Sequence, residues 1–211
     1  MAIRFVCLAN SFKLHGRCVA GVILDRKNKP LMENGRPKWV RPISSSEHGE
    51  INTDLVSHIQ LLDIVEIDGV NHLATGHQSE NVLFDENSIV VNDVYPNDRL
   101  NLISENEQPL IFGNSKKAVH EKYIGQLHYS LMLICIDEFE VTKKASDKMQ
   151  VRLTFVYNGS SYNLPITDPH FIQNYENDPE CLSDVNELFL ALSLGLEFNE
   201  FYHKLVAGLM Y

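Results

Sequence analysis

The residues best equipped for chemistry gather near the N-terminus. Asn10, Ser11, Lys13, His15 and Arg17 share one short stretch, and Trp39 and Arg41 follow on a second. An arginine offers a planar fork to phosphate or carboxylate, and an asparagine reads amides or base edges. A tryptophan supplies a stacking face on which a neighbouring cation can lie. If Lys38–Arg41 runs as a regular strand, Trp39 and Arg41 share one side of it. This chemistry recognises an anion and makes no bond. The plainer alternative stays open: Asn10 and Ser11 satisfying a turn, Trp39 in a core, and the arginines solvated.

Other reactive side chains are scattered. Cys7 and Cys18 have only His15 nearby as a partner for metal or nucleophile chemistry, so packed thiols are the default reading. His48 lies near Glu50 and His77 near Glu80, a pairing that acid–base or metal hydrolysis would use. Such pairs are frequent in loops, and His77 with Gln78 reads better as a ligand-contacting or interdomain loop. Asp168, between Thr167 and Pro169, reads as the close of a strand through an Asx turn. Lys204 stands inside an apolar strand, and its expected partner is Asp168, fixing the C-terminal unit. The chain has no phosphate loop, nucleophile elbow or zinc-ligand spacing. The expectation is no enzyme, no metal and no cofactor.

The elements that must position these residues are mostly strands. Ile3–Ala9 and Arg17–Leu24 read as a pair around the first polar cluster. Asp25–Pro37 reads as a loop, Lys38–Ile43 as a short strand, and Ile51–Ile59 as a short helix capped by Asn52 or Thr53. Leu61–Ile67 alternates as a strand does. Met149–Tyr157 and Tyr162–Ile166 flank Asn158-Gly159, the strongest hairpin signal in the chain. Glu187–Leu192 is ambiguous by period alone, and Phe201–Met210 reads as a closing strand. Residues 1–105 are expected to form one unit and 126–211 a second, with 106–125 as linker.

The 211 residues suffice for two small units, and 44% hydrophobic content builds a core. A net charge of −10 argues against a broad phosphate-binding surface. The N-terminal forty residues run the other way, with Arg4, Lys13, Arg17, Arg26, Lys27, Lys29, Arg36 and Lys38 against Asp25 and Glu33. An anion is therefore expected there. No apolar run reaches the ~20 residues of a bilayer span, and the first residues lack a secretory pattern. A cytoplasmic setting with free thiols follows.

Four separated stretches, in order, carry a resemblance. They are Cys7-Leu-Ala-Asn-Ser with Gly16-Arg-Cys-Val-Ala-Gly21; Trp39-Val-Arg-Pro-Ile-Ser44; Tyr157-Asn-Gly with Tyr162-Asn-Leu-Pro-Ile-Thr-Asp-Pro169; and Ser193-Leu-Gly with Phe198-Asn and Tyr202-His-Lys-Leu-Val-Ala207. Together they resemble the prokaryotic dual OB-containing domain family, sometimes seen near bacterial conflict genes. The resemblance implies a mainly β fold: two small OB-like β-barrel units in tandem with a few short helices. It brings no catalytic residue.

OB-folds bind oligonucleotides or oligosaccharides on one barrel face. The leading expectation is a non-catalytic module for single-stranded nucleic acid or a nucleotide, in a defence system. Its ligand residues would be Asn10, Ser11, Lys13, Arg17, Trp39, Arg41, His77 and Gln78. The alternative is a regulatory subunit that meets a protein partner through its acidic surface. Neither reading involves a membrane.

Overall fold

The N-terminal β-run is almost wholly apolar because both of its faces are covered. In the computed structural model, which describes residues 2–73, 76–144 and 150–211, β1 (Ile3–Lys13) pairs with β2 (Gly16–Ile23). One face carries Ile3, Phe5 and Cys7 into a core with Val19, Ile23, Val40 and Val65. The other carries Val6, Leu8 and Ala20 into a second core shared with the C-terminal half. A bulge between Cys7 and Ala9 switches the register, so Ala9 joins the second core.

After this hairpin, β3 (Met32–Glu33) and β4 (Arg36–Pro37) pair with each other as a separate two-stranded sheet, and β5 (Trp39–Ile43) extends the hairpin by pairing with β2. Next comes α1 (Thr53–Val56), capped by the Asn52 side chain on the Asp54 N–H. Then follow β6 (Asp63–Ile67), β7 (Asn71–His72), β8 (Asn81–Leu83) and β9 (Val90–Val94). Seven strands form one sheet, ordered β7-β8-β5-β2-β1-β6-β9. Its strands pair antiparallel except β5 and β8, which run parallel.

The second half begins inside the stretch expected as a linker. Ile111 and Phe112 are buried, and β10 (Ala118–His120) pairs with the last strand. After α2 (Glu121–Ile124) come β11 (Leu131–Ile136), β12 (Phe139–Lys144), β13 (Gln150–Tyr157) and β14 (Ser160–Pro165). Met149, read from sequence as the first residue of the β13 run, lies outside the described residues. The Asn158-Gly159 hairpin forms between Tyr157 and Ser160, with both turn residues at positive φ. Then follow α3 (Pro169–Asn177), β15 (Leu188–Phe198) and β16 (Phe201–Met210). The sheets are ordered β10-β16-β15-β11 and β12-β13-β14. The architecture is mainly β, and the ambiguous run at 187–192 is strand from Leu188 on, because both faces of 188–192 are buried, while Glu187 stays exposed outside the strand.

The two halves are packed, not merely tethered. Val6, Leu8, Val22 and Ile64 of the first meet Leu131, Leu133, Ala191 and Ala207 of the second in one core. Truncating such a leucine to alanine costs about 2–5 kcal/mol. Backbone joins them too: Phe12 N donates to Thr167 O at 2.8 Å, and within the second half Thr167 N donates in turn to Val206 O at 2.8 Å.

Asp168 and Lys204 are both buried, but they do not form the pair expected of them. Asp168 caps α3, accepting from His170 N and Phe171 N, and also accepts from Leu209 N. Pro169 occupies the first helical turn, so the residues read as ending a strand also open a helix. Lys204 instead donates to Ile111 O, Asn114 O and Asn114 Oδ1 at 2.6, 2.6 and 3.1 Å. It thereby fixes a turn in which Phe112 and Gly113 both take positive φ.

Candidate ligand-binding pocket

Four of the residues singled out from sequence meet in one pocket. Ser11 and Lys13 come from β1, Arg41 from β5, and Gln78 from the loop before β8. The cavity is about 240 Å³. Its far wall, which sequence reasoning missed, is the Ser193–Leu196 segment of β15 with Leu205 of β16. The Ser193-Leu-Gly motif was the one available signal for that wall.

Arg41 is only 2% exposed and forms the floor. The register of β5 on β8 sets Arg41 opposite Asn81, whose Oδ1 accepts from Nη1 at 3.3 Å. Nη2 donates to Ser193 Oγ at 3.3 Å and lies 3.8 Å from Glu80 Oε1. Its Nε has no hydrogen-bond partner among the described residues. Glu80 Oε1 accepts from Ser130 N and Oγ at 2.9 and 2.6 Å. The pocket floor is therefore built across the seam between the two halves.

Lys13 lies beside this floor. Burial pushes its ammonium below the usual lysine value, and Arg41 adds to that push against Cys18 and Glu50. Two cations in a partly desolvated cavity favour an entering anion. Phe12 and Leu14, 55% and 59% exposed, rim the mouth with the exposed Leu196. The Arg17 guanidinium sits over the Phe12 ring at 4.7 Å. Leu14, in the turn between β1 and β2, takes φ +49, a conformation unfavourable for a leucine.

The remaining candidates are engaged in the fold. Asn10 donates through Nδ2 to Val56 O and Ile59 O at 2.8 and 2.9 Å, anchoring the end of α1. Arg17 is buried and donates to Asn10 O. Trp39, expected to offer a stacking face, is buried in the shared core and donates its indole N–H to Glu105 Oε2 at 3.3 Å. Trp39 and Arg41 do share one side of β5, and that side faces the second half. Arg36 completes the cluster, bonding Glu105 at 2.6 Å and stacking 3.3 Å from the Tyr129 ring centroid. His77 packs edge-on against Tyr202 at 4.7 Å, and Ser79 Oγ donates to His128 O, so the His77–Glu80 loop bridges the halves. Burial lowers the His77 imidazole, with Glu80 opposing.

Cys7 and Cys18 do not face each other: Cys7 lies opposite Gly21, and Cys18 opposite Ser11. All four cysteines are free. Burial pushes the Cys7 thiol far above its ordinary range, which leaves it unreactive. Among the described residues, no His, Cys, Asp and Glu side chains gather as a metal site needs, and no helix is long and apolar enough to cross a membrane.

The sequence pattern of the dual OB-containing domain family matches residues 3–209. No curated protein matches the chain. Among solved structures, a murine DNA-binding protein bound to double-stranded DNA aligns at 7% identity and TM-score 0.39, covering 97% of this chain and 89% of that one. The Ifi202 HINa domain in complex with 20-bp double-stranded DNA aligns at 12% identity and TM-score 0.36, covering 97% and 91%. The tetrameric p202 HIN2 domain aligns at 10% identity and TM-score 0.33, covering 100% and 91%. At these TM-scores the ligands of those proteins say nothing of this one.

Proposed function

The chain belongs to the dual OB-containing domain family, and from that premise we propose that it is a non-catalytic module that binds nucleic acid or a nucleotide. The observation that carries this reading is the pocket at the seam. It sets Lys13 and Arg41 at one anion-sized cavity and places exposed Phe12 and Leu14 at its mouth. The cations suit a phosphate, Ser11 and Gln78 offer hydrogen bonds, and the apolar rim suits a base or sugar face. Arg17 holds the Phe12 ring from one side. Asn10, Trp39 and His77 support the site by positioning β1, β5 and the bridging loop. The reading sets the protein in the bacterial cytoplasm, in a defence system, working without a cofactor.

Fluorescence anisotropy with labelled single-stranded DNA, RNA and a nucleotide triphosphate, across salt, tests it. Phe12→Ala and Lys13→Gln are expected to weaken binding about tenfold each, the value of one charge-assisted hydrogen bond or one stacked base. Unchanged binding by both variants, with the fold intact, would remove this site.

A second reading, a subunit that docks a protein partner, is favoured by one feature. Strand β9 is a sheet edge, and Val90, Val91 and Val94 on it are exposed. Such an edge can accept an added strand. Concentration-dependent association of the pure protein, abolished by Val91→Lys, would support that reading over the first.

A further inference from the structure

The C-terminal half holds a second concavity, larger than the seam pocket, of about 910 Å³. It is lined by β12, β13 and β14, by the segment before β10, and by the middle of β16. Its cations are Lys117, Lys143, Lys144 and Arg152, with His203 beside them. Among the described residues not one carboxylate lines it, in a chain where Asp and Glu outnumber Lys and Arg by 28 to 18. A charge-random surface of this protein would be acidic, so the segregation is a property of this groove.

The cations are positioned, not gathered by chance along the sequence. On the sheet, Lys144 lies opposite Gln150, and Arg152 opposite Thr142 on one side and Pro165 on the other. The Arg152 guanidinium is held by Gln150 Oε1 at 2.6 Å and by Asn163 O at 2.7 Å. Lys143 sits with its ammonium 5.4 Å from the Tyr175 ring centroid. Lys117 and Lys144 are exposed, and among the described residues neither meets an anionic partner. Beneath them the buried Lys204 is fully occupied by the Ile111–Asn114 turn.

We propose that this groove is a second binding surface, which takes the phosphate backbone of a nucleic acid without reading its bases. The lining supplies what a backbone needs: cations and the hydroxyls of Ser115, Thr142 and Ser161. It does not offer what base reading in a single strand needs. Among its described residues the one Phe, Tyr or Trp is Tyr162, and that ring is buried, so it is not free to stack. The proposal shares its ligand class with the function proposed above but uses none of the same residues.

The test is anisotropy of a labelled mixed-sequence single strand with the full chain, from about 25 to 200 mM salt. The variants are Lys117→Glu with Lys144→Glu, and Lys27→Glu with Lys29→Glu as a control carrying the same change in net charge. The groove variant is expected to bind at least tenfold more weakly than the control. It is also expected to flatten the log–log salt slope by about 1.4, or ~0.7 for each phosphate no longer neutralised. Scrambling the strand's sequence is expected to leave the groove's contribution unchanged. Equal affinity and salt slope for the groove and control variants, both folded by circular dichroism, would overturn the proposal. Lys13→Gln, run alongside, separates the two sites. Weakening by Lys13→Gln alone sinks the groove and keeps the seam pocket, and the reverse outcome does the opposite. Absence of binding by the unaltered protein at the lowest salt sinks both.

Discussion

Arg41 and Glu80 face each other at 3.8 Å inside the seam between the two β units, and each carries a polar atom with no hydrogen-bond partner among the described residues. A buried pair of this kind stabilises mainly by sparing each charge from isolation. Glu80→Gln or Arg41→Met alone strands the other charge and is expected to cost about 3–5 kcal/mol. The double replacement, Arg41→Met with Glu80→Gln, is expected to cost less than the two singles added. Urea unfolding of all four proteins gives the coupling. Strict additivity would mean that the two side chains act independently, through Ser193 and Ser130.

The seam also depends on a close backbone crossing. A Cβ added at Gly208 would lie 2.0 Å from the Leu8 carbonyl oxygen, at the bulge of β1. That oxygen belongs to the backbone and cannot swing aside. Gly208→Ala is expected to destabilise by roughly 3 kcal/mol, the upper range of overpacking. Gly125→Ala is the matched control, because it meets open space at an ordinary helical φ. Thermal unfolding checks both: a marked drop in melting temperature for the first and little change for the second.

What could be read from sequence was what local chemistry decides. Asn158-Gly159 demanded two positive φ values, which a hairpin turn supplies. Asn52 announced a helix start by its cap. The polar cluster of β1 and β2 pointed to Ser11 and Lys13, and both line the pocket. What could not be read depended on which surfaces meet. Trp39 and Arg41 were expected on one side of a strand, but nothing local says whether that side is covered. The bond from Arg41 to Ser193 spans 152 positions, so the pocket's far wall has no local signature. The basic groove was hidden for a related reason: Lys144 and Arg152 are close in the chain on the paired strands β12 and β13, but Lys117, from the segment before β10, joins them only in the fold. Asp168-Pro169 was read only as a strand stop, and the fold also uses it to start α3, with Asp168 as its cap.

Lys204 gives the fold a pH signature. Burial lowers its ammonium from an ordinary 10.5 to about 7, while Ile111 O, Asn114 O and Asn114 Oδ1 accept its hydrogen bonds. Between about pH 7 and 10.5 the unfolded chain keeps a proton that the folded chain releases more readily. Stability then rises with pH across that window, with a slope of up to about 1.4 kcal/mol per pH unit. Lys204→Met removes this rise and leaves three acceptors unpaired, so it is also less stable. The difference in unfolding free energy between the two proteins, followed from pH 6 to 10, carries the signature. A flat difference would show that the acceptors keep Lys204 charged in the fold throughout.

His203 reports on the groove directly. Burial lowers its imidazole below the usual value, and Lys117 pushes it further the same way. Lys117→Gln is expected to raise the His203 titration midpoint, and occupation of the groove by a polyanion to raise it as well. The imidazole proton shifts, followed by NMR against pH, measure both. A midpoint indifferent to Lys117→Gln would mean that burial alone sets it.

Leu14 ties the strain in the fold to the proposed ligand. It holds φ +49 in the β1–β2 turn and leaves its side chain in solvent, so neither its conformation nor its burial favours folding. A leucine in the left-handed region costs about 1–2 kcal/mol, and the extra freedom of an unfolded glycine costs about 0.5–1. Leu14→Gly is therefore expected to stabilise the protein by about 0.5 kcal/mol, read as a small rise in melting temperature. If the exposed leucine serves the pocket, the same change weakens nucleotide or nucleic-acid binding while the fold improves. Leu14→Asn, which tolerates the same φ, replaces the apolar surface without glycine's freedom and is expected to weaken binding equally. A variant that gains stability and keeps full affinity would make Leu14 an incidental turn residue and confine the site to Phe12, Lys13 and Arg41.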